Sequence, residues 1–153
     1  MAKTSLYRYF RSKDDLVVAV LERHEALWTV GLLGAESARR APKPDERLAA
    51  LVDVFSEWLR DDGYGGCLFI NSVLEVHDRS PAVRAASLDA LERVYELLFR
   101  LCDEAGLNEA RSLAHQLQTI LRGSIVAARE GNFVAVDEGR ALALRVLEQH
   151  RAH

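Results

Sequence analysis

Apolar residues recur every three or four positions along most of this chain, and the interruptions between those runs divide it into helices. Residues 2–9 suit a helix of about two turns. Ser12-Lys13-Asp14-Asp15 then forms a capping-box pattern, in which the Ser12 hydroxyl accepts an orphan backbone N–H and Asp15 reaches back. Behind it Leu16, Val20, Leu27 and Leu32, with Trp28 alongside, draw an apolar stripe that predicts a helix reaching about Arg40. Gly31 and Gly34 weaken that helix, either bending it or admitting a close neighbour.

Ala41-Pro42-Lys43-Pro44-Asp45 breaks the pattern, because each proline denies its predecessor the helical region. Leu48, Leu51, Val52, Phe55, Trp58 and Leu59 follow at helical spacing, and the run ends at Asp61-Asp62-Gly63-Tyr64-Gly65-Gly66. A short apolar helix is expected from Cys67 to about His77. Ser80-Pro81 signals the next start, with serine as cap and proline pre-set for the first helical position. That helix carries Leu91, Val94, Tyr95, Leu98, Leu101 and Cys102 on one face and stops at Gly106. Asn108 is the expected cap of a helix running through Leu113, Leu117, Ile120, Leu121 and Ile125 to Gly131, and a last helix covers roughly 135–150. No segment alternates as a half-buried strand requires, and no internal repeat appears. The predicted fold class is all-α, a bundle of about seven helices.

Composition narrows the class. With 153 residues and 49% hydrophobic side chains, the chain is long enough for one well-buried core. No apolar run approaches the roughly 20 residues that cross a bilayer, and the N-terminus has no signal-peptide pattern. A soluble cytoplasmic protein with no membrane association is expected. The net charge of −3 hides an asymmetry. Residues 1–13 carry Lys3, Arg8, Arg11 and Lys13 and no acid, a local +4 on a body of −7. A basic pole suits a protein that meets a polyanion at one end, and a solvated basic turn is the plainer alternative. Cys67 and Cys102 have no metal-ligand spacing and read as buried thiols, with redox sensing by the glycine-flanked Cys67 as the minority alternative.

The spacing Leu6-Tyr7-x-Tyr9-Phe10-x-Ser12-Lys13 resembles the end of the helix-turn-helix in TetR-type transcriptional regulators. The likeness continues through Gly66-Cys67-Leu68-Phe69-Ile70-Asn71 to Glu75, then Ser80-Pro81-x-Val83-Arg84. It closes on Leu121-Arg122-Gly123-Ser124-Ile125-Val126-Ala127-Ala128 and Gly139-Arg140-Ala141-Leu142, so it spans nearly the whole chain. The resemblance implies two parts. Residues 1–12 would be a remnant of the DNA-binding domain, its recognition helix alone, and 13–153 the ligand-binding and dimerisation domain. It also implies that Lys3, Thr4 and Ser5 face the DNA groove, that Tyr7, Tyr9 and Lys13 contact backbone phosphates, and that Leu6 and Phe10 pack inward. On side-chain chemistry alone, an ordinary amphipathic helix with a solvated basic side fits equally well. A helix-turn-helix needs two supporting helices before its reader. Met1 therefore reads as an internal methionine or as the start of a shortened product, and operator DNA is an expected partner only of a complete headpiece. The chain by itself is expected to bind operator weakly or not at all.

Trp28, Phe55, Trp58, Phe69 and Tyr95 lie on four predicted helices, with Gln118 and Arg122 on a fifth. Together they can line an apolar cavity with a few polar groups, as small-molecule sites do, and Glu75 and His77 can add polar contacts; plain core filling is the alternative. The last two helices are apolar over more than one face and carry the small residues Gly123, Ser124, Ala127 and Ala128. By the resemblance, 108–150 forms a symmetric four-helix interface with a second copy. No His spacing fits a metal, and no nucleophile elbow or phosphate loop appears. No catalytic residue, metal or cofactor is expected.

The resemblance therefore implies a regulator, a repressor by preference, in which a small apolar effector shifts the helix that starts at Lys13 and so alters DNA binding. The alternative is a dimerising or effector-binding protein that does not itself touch DNA.

Overall fold

The computed structural model describes residues 3–76 and 79–151, and these form seven helices. Helix α1 is Lys3–Tyr9 and α2 runs unbroken through 13–40. They are followed by α3 (Pro44–Trp58), α4 (Leu68–Val76), α5 (Pro81–Glu104), α6 (Ala110–Arg129) and α7 (Phe133–Gln149). The all-helical expectation is met among the described residues.

Local chemistry fixes most of the ends. The Ser12 hydroxyl accepts the Asp15 N–H at 3.1 Å, with Asp14 and Asp15 in the first turn where the helix dipole favours acids. Pro44 opens α3 and Pro81 opens α5, the latter capped by the Ser80 hydroxyl. Gly106 at φ 65° closes α5, and the Leu107 N–H returns to the Cys102 carbonyl at 3.1 Å. One cap differs from expectation. Asn108 does not cap α6; Glu109 stands at that position in a left-handed conformation, φ 52°, and the Asn108 N–H instead donates to the His150 carbonyl at 2.8 Å. The loop is thereby tied to the end of α7.

Helix α2 departs most from expectation. Its ends, Lys13–Glu25 and Ser37–Arg40, are α-helical, while Ala26–Glu36 is wound as a π-helix. Gly31 and Gly34 both lie in that stretch. A Cβ on either would sit 3.4 Å from the carbonyl five residues back, Ala26 O and Thr29 O respectively. The wider turn is the form their small size takes here.

Helix α5 is the packing centre, touching α2, α3, α4 and α6, while α6 lies along α7 and α7 along α3. Leu51, Phe55, Phe69, Leu98, Cys102, Leu113, Leu117 and Ala143 are almost completely buried at these crossings. Ion pairs brace the periphery. Arg40 grips Glu57 with two 2.7 Å bonds and also reaches Glu36, joining α2 to α3, while Arg140–Asp53 joins α3 to α7 and Arg60–Asp137 ties the turn after α3 to α7. Each such exposed pair is worth at most about 1 kcal/mol, so the buried contacts hold the bundle.

Between α6 and α7 the fit is tight at Gly139, where an added Cβ would run into the Ser124 Oγ. Ser124 is buried and donates to the Ile120 carbonyl at 3.1 Å, so moving its hydroxyl gives up that bond. Gly139→Ala is therefore expected to cost about 1–3 kcal/mol as an overpacked contact. In a Ser124→Ala background the same change is expected to be nearly neutral. Urea denaturation of the two single variants and the double reads this coupling directly.

Candidate functional site

At the centre of the bundle Trp28 (α2), Phe55 (α3), Leu91 and Val94 (α5), and Gln118, Leu121, Arg122 and Ile125 (α6) meet Cys67 and Ile70 around a small cavity of about 20 Å³. Its walls are almost entirely apolar. The aromatic side is built by packing. The Trp28 ring lies 5.0 Å from Trp58, 6.0 Å from Phe69 and 6.4 Å from Phe55, in tilted or edge-on arrangements that suit ring quadrupoles. The Trp28 indole N–H is buried and has no acceptor among the described residues. Burying such a donor unpaired carries a penalty of about 1–3 kcal/mol.

Other polar groups here are held. The Gln118 amide donates to the Leu91 carbonyl at 2.9 Å, pinning α6 to α5. Tyr64 donates its hydroxyl to the Ile125 carbonyl at 2.9 Å, and burial, followed by the nearby Cys67 charge, pushes its phenol up to about 12. Burial also raises the Cys67 thiol, against the opposing pull of the Ile70 and Phe69 backbone N–H groups and of Arg122. Cys102 is fully buried, and burial lifts its thiol to about 12. His24, one turn before Trp28, sits edge-on to Phe69 at 5.3 Å, and burial lowers its pKa.

Of the residues singled out in the sequence, Trp28, Phe55, Gln118 and Arg122 come together on this cavity. Trp58 and Phe69 back Trp28 without lining it. Glu75 is exposed at the end of α4. Tyr95 stacks on His115 at 4.3 Å and on Phe99 at 6.3 Å, away from the cavity. His77 lies outside the described residues. The cavity residues not singled out had a signal: Leu121 and Ile125 extend Gln118 and Arg122 at i+3 and i+7 of one α6 face.

At the N-terminal end, Thr4, Tyr7, Tyr9 and Lys13 are exposed and Ser5 is half-buried, while the Lys3 and Leu6 side chains lie outside the described set. A hydrogen bond ties the first turn of α2 to the start of α5. The Ser80 hydroxyl, which caps α5, donates to the Asp14 carboxylate in the first turn of α2 at 2.5 Å.

Residues 44–133 match the family model described as tetracyclin repressor-like, C-terminal domain. The chain belongs to the TetR family of transcriptional regulators. Among characterised relatives it is 32% identical over 96 residues to the HTH-type transcriptional repressor NemR of Escherichia coli K12, covering 63% of this chain and 48% of NemR. It is 26% identical over 141 residues to the HTH-type transcriptional activator FasR of Mycolicibacterium smegmatis, covering 92% of this chain and 57% of FasR. The chain thus spans about half the length of the curated relatives it matches. A crystal structure of a TetR-family regulator from Streptomyces coelicolor superposes with a TM-score of 0.88 at 22% identity, over 98% of this chain and 79% of that one. The reduced form of E. coli NemR superposes at 0.80 and 24% identity, over 95% and 80% respectively. The shared fold is the TetR bundle. Membership also agrees with the expectation that this is not an enzyme, since the family and these relatives are transcriptional regulators. No helix among the described residues is long and apolar enough to cross a membrane.

Proposed function

We propose that residues 13–153 form the effector-binding and dimerisation domain of a cytoplasmic TetR-type repressor, and that residues 1–12 are the end of its DNA-reading headpiece. The observation that carries this reading is continuity: one helix, α2, brings Trp28 to the interior cavity and begins at Lys13, directly after α1. A cavity of about 20 Å³ holds little more than one water. An effector therefore enters only as the helices part, and the wall that moves with Trp28 is α2. Binding must favour the parted state over the closed one, and the difference in affinity sets how far the equilibrium shifts. In a protein with a complete headpiece, Lys3, Thr4 and Ser5 would face the operator groove and Tyr7, Tyr9 and Lys13 its phosphates. A second copy would pair through 108–150. The exposed Val126, Phe133, Val134 and Leu142 on α6 and α7, and the open space at Gly123, support that face.

The effector is read as small and apolar with one hydrogen-bond acceptor for Trp28. Nitrogen-15 spectra test it, because the indole N–H of Trp28 gives its own signal, assigned by its persistence in Trp58→Phe. Titration with acetophenone and naphthalene is expected to move that signal saturably, more for the ketone, which offers the acceptor. Leu121→Trp, which fills the cavity, is expected to abolish the response. A signal unmoved by both compounds, or a response that survives in Leu121→Trp, would contradict the assignment.

A further inference from the structure

The interior cavity is closed by buried and half-buried side chains everywhere except at Arg122 of α6. Arg122 is exposed, and it is also the one charged residue on the cavity wall among the described residues. The cavity therefore comes nearest to solvent along the Arg122 side chain, and the half-buried Ile70 of α4 and Leu91 of α5 are the next most exposed parts of the wall.

This guanidinium is uncommitted. It takes part in none of the ion pairs among the described residues. Its own helix offers it no carboxylate, because the positions three and four residues away hold Gln118, Thr119, Ile125 and Val126. Gln118, the other polar group on this side of the cavity, already donates to the Leu91 carbonyl at 2.9 Å. The charge of Arg122 is nevertheless felt inside. Burial raises the Cys67 thiol, and Arg122 is among the groups that oppose the rise. On another helix, the buried Trp28 side chain brings to the same wall an indole N–H that has no acceptor among the described residues.

An apolar interior with a lone cation at its entrance selects by charge. A carboxylate held at the entrance keeps one side in water, so its desolvation cost is small, while the guanidinium fork gives it paired, charge-assisted hydrogen bonds. A neutral group of the same shape gains less there, and a cation is repelled. We propose, on the effector-binding reading of this cavity, that Arg122 is its specificity-determining residue and that the effector is a compact apolar carboxylate. The hydrophobic body lies among the buried side chains and the carboxylate sits on the Arg122 guanidinium.

The probes are 4-acetylbenzoate, its neutral counterpart 4-acetylbenzamide, and acetophenone, titrated calorimetrically into the intact chain at neutral pH. The acid is expected to bind about tenfold more tightly than the amide, or better. Arg122→Gln is expected to erase that preference while binding acetophenone as the native chain does, and Arg122→Lys to keep only part of it, since an ammonium lacks the fork. Arg129→Gln removes an arginine of the same helix that does not line the cavity, and is expected to keep the preference whole. The side chains at 122 and 129 are exposed, so the native circular dichroism spectrum and melting temperature are expected in all three variants. An amide that binds as tightly as the acid, a preference that survives in Arg122→Gln, or acid binding that survives in Leu121→Trp would overturn the assignment. If acetophenone binds and the acid gains nothing over it, the carboxylate is wrong and the effector reading stands; if no probe binds saturably, both fall. If the acid binds through Arg122 while the Trp28 signal stays unmoved, the carboxylate stands and the acceptor for Trp28 does not.

Discussion

Phe55→Ala is expected to lower the stability of the bundle by about 3–5 kcal/mol, and the melting temperature by on the order of 10 °C for a chain of this size. The side chain is 2% exposed and touches two of the largest residues in the core, with ring centroids 6.4 Å from Trp28 and 5.6 Å from Trp58. Its loss removes the transfer energy of the ring and leaves a void that the rigid indoles cannot collapse to fill. The same void joins the cavity beside Trp28, so the variant should bind bulkier apolar compounds more tightly while being less stable overall. Chemical denaturation with and without naphthalene measures both effects. Tyr95→Ala is the control. That ring is half-buried in an outer stack with His115 and Phe99, and its loss should cost distinctly less. Equal costs at the two positions would place the aromatic core elsewhere.

The second large effect concerns assembly. Val126→Glu combined with Leu142→Glu is expected to weaken self-association at least a hundredfold, about 2.7 kcal/mol or more. Both side chains are exposed in the single chain, 56% and 43%, so neither change disturbs the core and the helical signal should persist. In a two-fold assembly each substitution appears twice, and four carboxylates would have to leave water at one apolar seam. Sedimentation velocity across a concentration series separates the outcomes. Unchanged association of the double variant, or a native chain that stays monomeric at high concentration, would remove α6 and α7 from the interface.

The helices themselves were legible wherever an apolar face and its punctuation agreed. Leu48 to Leu59 repeats at helical spacing behind Pro44, and Ser12 and Ser80-Pro81 announce starts that the structure keeps. The π winding of Ala26–Glu36 was not legible, because α and π turns draw on the same residues and Gly31 and Gly34 signal only that a side chain is missing. Asn108 carries the residue type of a cap, yet Glu109 occupies that place, since the loop is held by a bond to His150 far along the chain. The cavity was half legible for a related reason. Helical spacing tells which face of a helix is apolar, so Trp28, Phe55 and Gln118 could be chosen. Which apolar face meets which is decided by packing, and that decision sends Tyr95 to an outer stack with His115.

The central claim is that the interior cavity and the N-terminal helix move together through α2. Nitroxide labels on Arg11→Cys, exposed just before α2, would report it by the distance between the two copies of the proposed dimer. Cys67 and Cys102 are buried and leave the introduced thiol as the reactive one. Filling the cavity with Leu121→Trp is expected to displace the inter-label distance by several ångströms relative to the unfilled protein, with the dimer intact. An identical distance distribution in the filled and unfilled proteins would contradict it.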